Sequence, residues 1–132
     1  MLDSDVAFIL RLGSEQVEAE LFLRRRLFVG VTRTWTRGSK IFFLRKSAAF
    51  IGFGIVASIE QLEGLESHER ELCLQRNWCA KLHFSSLVRF YPPEPLSGTP
   101  VATLNPMTLH GSEIGESAAS RIEELATVNI YT

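Results

Sequence analysis

Hydrophobic and polar positions along the chain predict three helices between short strands. The apolar run at residues 6–11 ends at a glycine and is typical of a strand. A helix is predicted over residues 15–26, because Ser14 is a suitable N-cap and Glu15 suits the positive pole of a helix dipole. The other two predicted helices cover residues 65–77 and 112–126.

The remaining apolar runs are rich in β-branched and aromatic residues, which favour strands. Two glycines on alternate positions, Gly52 and Gly54, predict a bent or bulged strand, and the prolines from Pro92 to Pro95 should end another. The predicted strands cover residues 27–34, 41–47, 50–60, 81–91 and 101–104, with an edge strand from the tail 128–132. This order predicts an α+β domain, in which a small antiparallel sheet curls into a β-barrel with flanking helices.

Length and composition are those of one soluble globular domain. The chain has 132 residues, of which 45% are hydrophobic and 22% are charged, so residues 1–132 are expected to form a single domain. Its longest apolar run, residues 48–59, is too short to span a bilayer. Cys73 and Cys79 are expected to be reduced, and no secretory signal is visible. These features predict a cytoplasmic protein without a membrane partner.

The charges are distributed unevenly. No acidic residue occurs between Glu20 and Glu60, whereas arginines and lysines are frequent from Arg24 to Lys46. We call residues 24–46 the basic flank. An acidic segment follows at residues 60–71, so the net charge of −1 conceals the contrast. Because aromatic residues lie among the cations, the pattern favours a polyanion with flat bases, and RNA or DNA is the predicted partner.

Residues around the predicted turn at 36–40 are the candidates for contacting such a ligand. Trp35 lies among arginines and could stack on an extruded base. Arg45 and Lys46 could contact phosphate, and Ser47 could hydrogen-bond a base edge. The candidate site comprises Arg33, Thr34, Trp35, Arg37, Lys40, Phe43, Arg45, Lys46, Ser47 and Phe50.

Each candidate also has a structural interpretation. Trp35 could close one end of the barrel, and Phe43 and Phe50 could both pack in the core. The end of the strand at residues 45–47 could be a solvated hairpin tip. The three consecutive arginines at residues 24–26 point about 100° apart on a helix, so they cannot all face one ligand.

Three stretches of the chain resemble the PUA-like superfamily, which includes the PUA, ASCH, EVE and YTH domains. They are RLGSE at 11–15, the turn and two strands at 36–59, and the strand and proline-rich passage at 87–107. Gly38, Lys40 and Arg45 match the spacing of the ASCH pattern Gly-x-Lys-x-x-Glu-x-Arg, whereas Phe43 occupies its glutamate position. The resemblance implies a small module that binds RNA and holds one base, modified or not, in a pocket.

Other functions remain open at this point. The basic flank and the acidic segment could pair between molecules, which would make the protein an interaction module or a homodimer. An RNA-processing enzyme on the same fold is a third possibility, although no catalytic motif is recognisable. The three histidines lack metal-ligand spacing, so neither a metal nor a cofactor is expected.

Overall fold

A computed structural model describes residues 7–31, 35–126 and 128–131. Helices are interspersed among the strands, as the hydrophobic pattern predicts. The elements are β1 (Ala7–Arg11), α1 (Glu15–Arg24), β2 (Arg26–Val29), β3 (Lys40–Arg45), β4 (Ala49–Gln61), α2 (Ser67–Arg76), β5 (Ala80–Pro95), α3 (Pro106–Leu109), β6 (Glu113–Ile114), α4 (Glu116–Leu125) and β7 (Val128–Tyr131).

The strands form one mixed sheet in the order β2-β5-β4-β3-β1-β6, with β7 also beside β5. The long strand β5 pairs with β2 near its start and with β7 further along, while β4 runs along its other edge. The prediction of an antiparallel sheet is wrong for β1 and β3, which pair in parallel. This pairing is possible because α1 and β2 separate the two strands in the chain. No ladder among the described residues closes the sheet, so the predicted barrel is not confirmed.

Apolar side chains cover both faces of the sheet and form two cores. Alternation along β3 places Ile41 and Phe43 in the first core and Phe42 and Leu44 in the second. The first core packs against α1 through Leu21, which is fully buried. The second core includes Ala119 and Ile122 of α4, which lies on the opposite face. The central strands are therefore buried on both sides, which explains their nearly continuous apolar runs.

Several predicted boundaries are wrong for identifiable reasons. α1 ends at Arg24, because Arg25 adopts the left-handed conformation with φ 57°. β5 continues through the prolines to Pro95, where its last residues pair with β4. Residues 101–104 form turns instead of a strand. The last helix begins at Glu116 rather than at Ser112, whose hydroxyl donates to the Thr108 carbonyl at 2.7 Å.

Two local predictions are confirmed. The tail forms an edge strand, β7, which pairs with β5. The glycine-containing strand β4 has an irregular register with β5 around Gly52, as expected for a bulge. Gly52 has φ 153°, and a Cβ at this position would lie 2.0 Å from the carbonyl oxygen of Val88. The close approach of β4 and β5 therefore requires glycine here.

Candidate nucleic-acid interface

Trp35, the first candidate for base stacking, is buried with 8% of its surface exposed. Its ring contacts Phe8 edge to face, with centroids 5.0 Å apart. The indole Nε1 is buried and has no acceptor among the described residues. Trp35 therefore packs in the first core, although the barrel end that it was expected to close is not confirmed. Arg33 and Thr34, which precede it, lie outside the described residues.

Phe43 and Phe50 have no accessible surface and belong to different cores. Phe43 packs edge to face against Phe22 and Phe84, whereas Phe50 packs against Phe42. Both rings therefore match the core interpretation. The structure does not bring them together around one pocket, because they lie on opposite faces of the sheet.

Arg45 forms a bidentate ion pair that joins β3 to α1. Its Nε and Nη2 donate to the two carboxylate oxygens of Glu18 at 3.0 and 2.9 Å. Glu18 is buried with only 7% of its surface exposed. This hydrogen bonding raises the pKa of Arg45 above its ordinary value. The pair has the geometry of a structural clamp, since the guanidinium already faces a desolvated carboxylate.

Other cations of the basic flank are also paired with acids, most of them distant in the chain. The pairs are Arg24 with Glu20 at 2.7 Å, Arg26 with Glu69 at 3.8 Å, and Lys40 with Glu123 at 2.5 Å. Arg37, Lys46 and Ser47 are exposed. Folding therefore neutralises much of the positive charge that the linear sequence concentrates in this segment.

A cleft lies elsewhere, between α1, β2 and the end of α2. It consists of two adjoining cavities. The first cavity has a volume of about 360 Å³ and is lined by Ser14, Gln16, Val17, Glu20, Arg26, Leu27, Phe28, Leu72, Arg76 and Trp78. The second has a volume of about 220 Å³ and shares Val17, Leu27, Phe28 and Trp78 with the first. The cleft thus has an apolar floor with arginines beside it.

Two aromatic rings dominate the first cavity. Phe28 and Trp78 are stacked with their centroids 4.9 Å apart and their planes 9° from parallel. The guanidinium of Arg76 lies 5.5 Å from the Trp78 ring, and that of Arg26 lies 5.8 Å from the Phe28 ring. Such distances are those of cation–π contacts. Trp78, which a sequence interpretation would place in the core, is instead only partly buried.

A network of charged side chains lies next to the Phe28 ring. Lys81, which faces Phe28 across the β2–β5 ladder, is buried, and its Nζ lies 5.5 Å from the phenyl centroid. The Glu69 carboxylate accepts from this ammonium at 2.9 and 3.1 Å. On the far side, Glu60 pairs with Lys81 at 3.5 Å and with His83 at 2.6 Å. The hydrogen bond from His83 holds the pKa of Glu60 below its usual value.

The second cavity lies where β1 ends. Its lining residues are Leu10, Arg11, Leu12, Gly13, Val17, Leu27, Phe28, Val29, Gly30, Trp78 and His110. The backbone N–H of Arg11 donates to Nδ1 of His110 at 2.9 Å. Gly30 allows β2 to approach α2, because a Cβ there would lie 2.7 Å from the Asn77 carbonyl oxygen. This close approach positions Trp78, which follows Asn77 in the chain, beside the cleft.

Sequence reasoning missed Phe28, Arg76, Trp78 and Arg11 as a group. A signal for Phe28 existed in the alternation of β2, where Leu27 and Val29 are buried while Phe28 is only partly so. No signal in the linear sequence joins Phe28 to Trp78, because their contact depends on the pairing of β2 with the start of β5.

Comparison with known proteins identifies the fold. No family model and no curated protein matches the chain. Two solved structures do match over nearly the whole chain. The chain therefore has an ASCH-like fold.

One of these structures is an ASCH protein from Zymomonas mobilis, with a TM-score of 0.66, 12% identity, and coverage of 94% of this chain and 98% of that one. The other is a point mutant of that protein, with a TM-score of 0.63, 13% identity, and coverage of 92% and 99%. Identities this low support the ASCH-like fold and nothing further.

Every helix among the described residues is too short or too polar to traverse a bilayer. In the same residues, histidine, cysteine and acidic side chains do not gather in groups of three or more that could hold a metal ion.

Proposed function

We propose that the protein binds single-stranded nucleic acid, most favourably RNA, with one base held in the cleft beside Trp78. The observation that carries this proposal is the stacked pair of Phe28 and Trp78 with guanidinium groups next to both rings. Aromatic rings provide a stacking surface for any base, and arginines contact both bases and phosphates. The cleft, which includes Arg26 and Phe28 from one end of the basic flank, combines these two properties.

The size and composition of the first cavity agree with this role. Its volume of about 360 Å³ falls within the range of about 300–1,000 Å³ that is common for small-ligand sites. Its one acidic side chain, Glu20, is paired with Arg24 at 2.7 Å. Arg76 is exposed and has no carboxylate partner among the described residues. An anionic strand would therefore meet little repulsion at the mouth of this cavity.

The likeness to ASCH structures adds support at the level of the fold. It is consistent with the RNA-binding role that the PUA-like resemblance implies, although a fold alone does not specify a ligand. The exposed flank residues Arg37, Lys46 and Ser47 stay candidates for additional contacts with the strand. The choice between RNA and DNA is left to direct comparison.

Tryptophan fluorescence provides the test. A Trp35→Phe variant leaves Trp78 as the single tryptophan, so its emission reports on the cleft. Titration with mixed-sequence RNA and DNA 12-mers at 50 mM and 200 mM salt should quench this emission. The apparent affinity should fall steeply at the higher salt, because phosphate contacts release counterions. Absence of binding to both oligomers at low salt would contradict the proposal.

Sedimentation of the same protein examines the self-association alternative. A dimer that dissociates at 200 mM salt, combined with no binding of oligomers, would favour pairing between the basic flank and the acidic segment. One such contact, between Arg26 and Glu69, is already made within a single chain. A monomer at both salt concentrations that binds RNA would agree with the cleft.

A further inference from the structure

The strand β2 has one edge that no other strand covers among the described residues, because it stands at the end of the sheet order. On its inner edge, the N–H of Phe84 donates to the Arg25 carbonyl at 2.9 Å, which makes these two residues a hydrogen-bonded pair. Such pairs alternate with non-hydrogen-bonded pairs along an antiparallel ladder. Leu27 therefore directs its main-chain groups towards β5, whereas Phe28 directs its N–H and C=O outwards.

The outward main-chain groups of Phe28 are available to a ligand. No hydrogen bond between described residues uses either of them, and Phe28 is only partly buried. Main-chain N–H and C=O groups are obligatory hydrogen-bonding groups, so they require a partner whenever they are taken out of water. A ligand that covers this edge must therefore supply both an acceptor and a donor.

The first cavity lies along this edge of β2. Arg26, Leu27 and Phe28 all line it, although their side chains alternate between the two faces of the sheet. The Leu27 side chain belongs to the first core, and the Phe28 ring lies on the opposite face beside Lys81. A cavity over one face of a strand would be lined by every second residue. Three consecutive lining residues therefore place this cavity beside the main chain.

A single base suits this edge better than an extended peptide. Addition of a peptide strand uses a long row of main-chain groups, whereas β2 has four residues and directs such groups outwards only from Arg26 and Phe28. The N–H and C=O of one extended residue point to the same side. Together they match a flat ring that carries a donor next to an acceptor, and the Watson–Crick edge of every unpaired base has this arrangement.

We propose that the main chain of Phe28 recognises the Watson–Crick edge of the base held beside Trp78. The N–H of Phe28 donates to a ring nitrogen or carbonyl oxygen of the base, and its C=O accepts from an amino or imino N–H. This inference rests on the proposed function and specifies its ligand as an unpaired base whose Watson–Crick edge is unmodified. A base that carries methyl groups on this edge can still stack but cannot make both hydrogen bonds.

Amide hydrogen exchange in the wild-type protein, followed by proton–nitrogen NMR, tests the main-chain contact. In the free protein, the Phe28 amide should exchange at least about tenfold faster than the Leu27 amide, which is paired with β5. Saturation with a mixed-sequence RNA 12-mer should slow the exchange of Phe28 about tenfold, because its N–H then has an acceptor. The exchange of Leu27 should stay unchanged.

Isothermal titration with a methylated strand tests the recognised edge. Its 12-mer has the same sequence but contains N6,N6-dimethyladenosine, N4,N4-dimethylcytidine, N1-methylguanosine and N3-methyluridine, which keep the flat rings and the phosphates. This strand should bind about tenfold more weakly than the unmodified one, since neutral hydrogen bonds are lost. Gln16→Ala is the control variant, because Gln16 brings a side-chain amide to the same cavity. It should show the same tenfold preference.

The outcomes separate the two proposals. Unchanged exchange of Phe28 in the RNA complex, or equal affinity for the two strands, would overturn the main-chain recognition and leave the proposed function standing. Loss of the preference in Gln16→Ala would assign the edge contact to a side chain and would also overturn it. Failure of the wild type to bind the unmodified 12-mer would overturn the proposed function itself.

Discussion

The basic flank and the cleft show how differently charge behaves in a sequence and in a fold. The basic flank concentrates positive charge along residues 24–46, yet Arg45 and Lys40 face Glu18 and Glu123 after folding. The cleft draws its arginines from β1, β2 and α2, and among them only Arg26 of β2 belongs to the basic flank. Arg11, whose buried Nε has no acceptor among the described residues, lies outside the basic flank.

This difference shows that a run of like charges in a sequence predicts a binding surface only when no oppositely charged side chains lie beside it in the folded protein. In the flank, the acids come from α1, α2 and α4, and the partners of Lys40 and Arg45 lie 83 and 27 residues away in the chain. In the cleft, Arg26 and Arg76 lie beside the rings of Phe28 and Trp78, and Arg76 has no carboxylate partner among the described residues. The paired cations Lys40 and Arg45 therefore stabilise the fold, whereas Arg76 in the cleft is exposed.

The largest effect should be a loss of stability caused by a substitution in β4, the strand that pairs with β3 of the flank. Gly52→Ala puts a Cβ 2.0 Å from the Val88 carbonyl oxygen at a φ that side chains rarely adopt, so we expect a loss of more than about 3 kcal/mol in unfolding free energy. Urea denaturation measures it. Gly64→Ala is the control, because a Cβ there has no neighbour within 4 Å. A Gly52→Ala protein as stable as this control would show that the β4–β5 packing is described wrongly.

The next effect concerns the cleft alone. Trp78→Ala should weaken RNA binding by about 2 kcal/mol, or roughly 30-fold in Kd, because one base stack is lost. Trp35→Phe should leave the Kd unchanged, since Trp35 is buried. Fluorescence anisotropy with a labelled 12-mer measures both. The comparison would fail if Trp35→Phe weakened binding and Trp78→Ala did not.

A smaller effect on stability should distinguish Arg45 from its neighbour in the flank, Lys46. Arg45→Ala leaves the buried carboxylate of Glu18 without its partner and should lower the unfolding free energy by about 1.5 kcal/mol. Lys46→Ala removes an exposed cation and should change it by less than about 0.5 kcal/mol. Denaturant midpoints of the two variants provide the measurement. If the two variants were equally stable and Arg45→Ala bound RNA more weakly, the flank would instead be part of the binding site.

The smallest effect is a pH dependence of stability that arises from Glu60 and His83, near the cleft. His83 lowers the folded-state pKa of Glu60 from its ordinary 4.5, so this carboxylate stabilises the fold above that value and loses its contribution as the pH falls through the lowered pKa. Glu60→Gln should therefore destabilise the protein at pH 7 but lose less of its remaining stability on acidification. Urea midpoints at pH 7, 5 and 3.5 test this. If the stability of Glu60→Gln fell with decreasing pH as steeply as that of the wild type, the Glu60–His83 hydrogen bond would be excluded as the source of the pH dependence.

The sequence predicted the elements better than their contacts. Apolar runs and glycines located the strands and the β4 bulge, because those signals are local. The pairing of β1 with β3 and the continuation of β5 to Pro95 depend on neighbouring strands, which no local pattern records. The same limit applies to the site. Arg45 is a good phosphate ligand by its chemistry, and only its contact with Glu18 shows that it is already occupied.

The central claim is that a ligand strand contacts the cleft and not the interior of the flank, and the two tryptophans allow both regions to be observed at once. In a proton–nitrogen NMR spectrum, each indole N–H gives its own signal, and Trp35→Phe assigns them. Upon titration with an RNA 12-mer, the Trp78 signal should shift progressively while the Trp35 signal stays in place. A moving Trp35 signal with a stationary Trp78 signal would contradict this account.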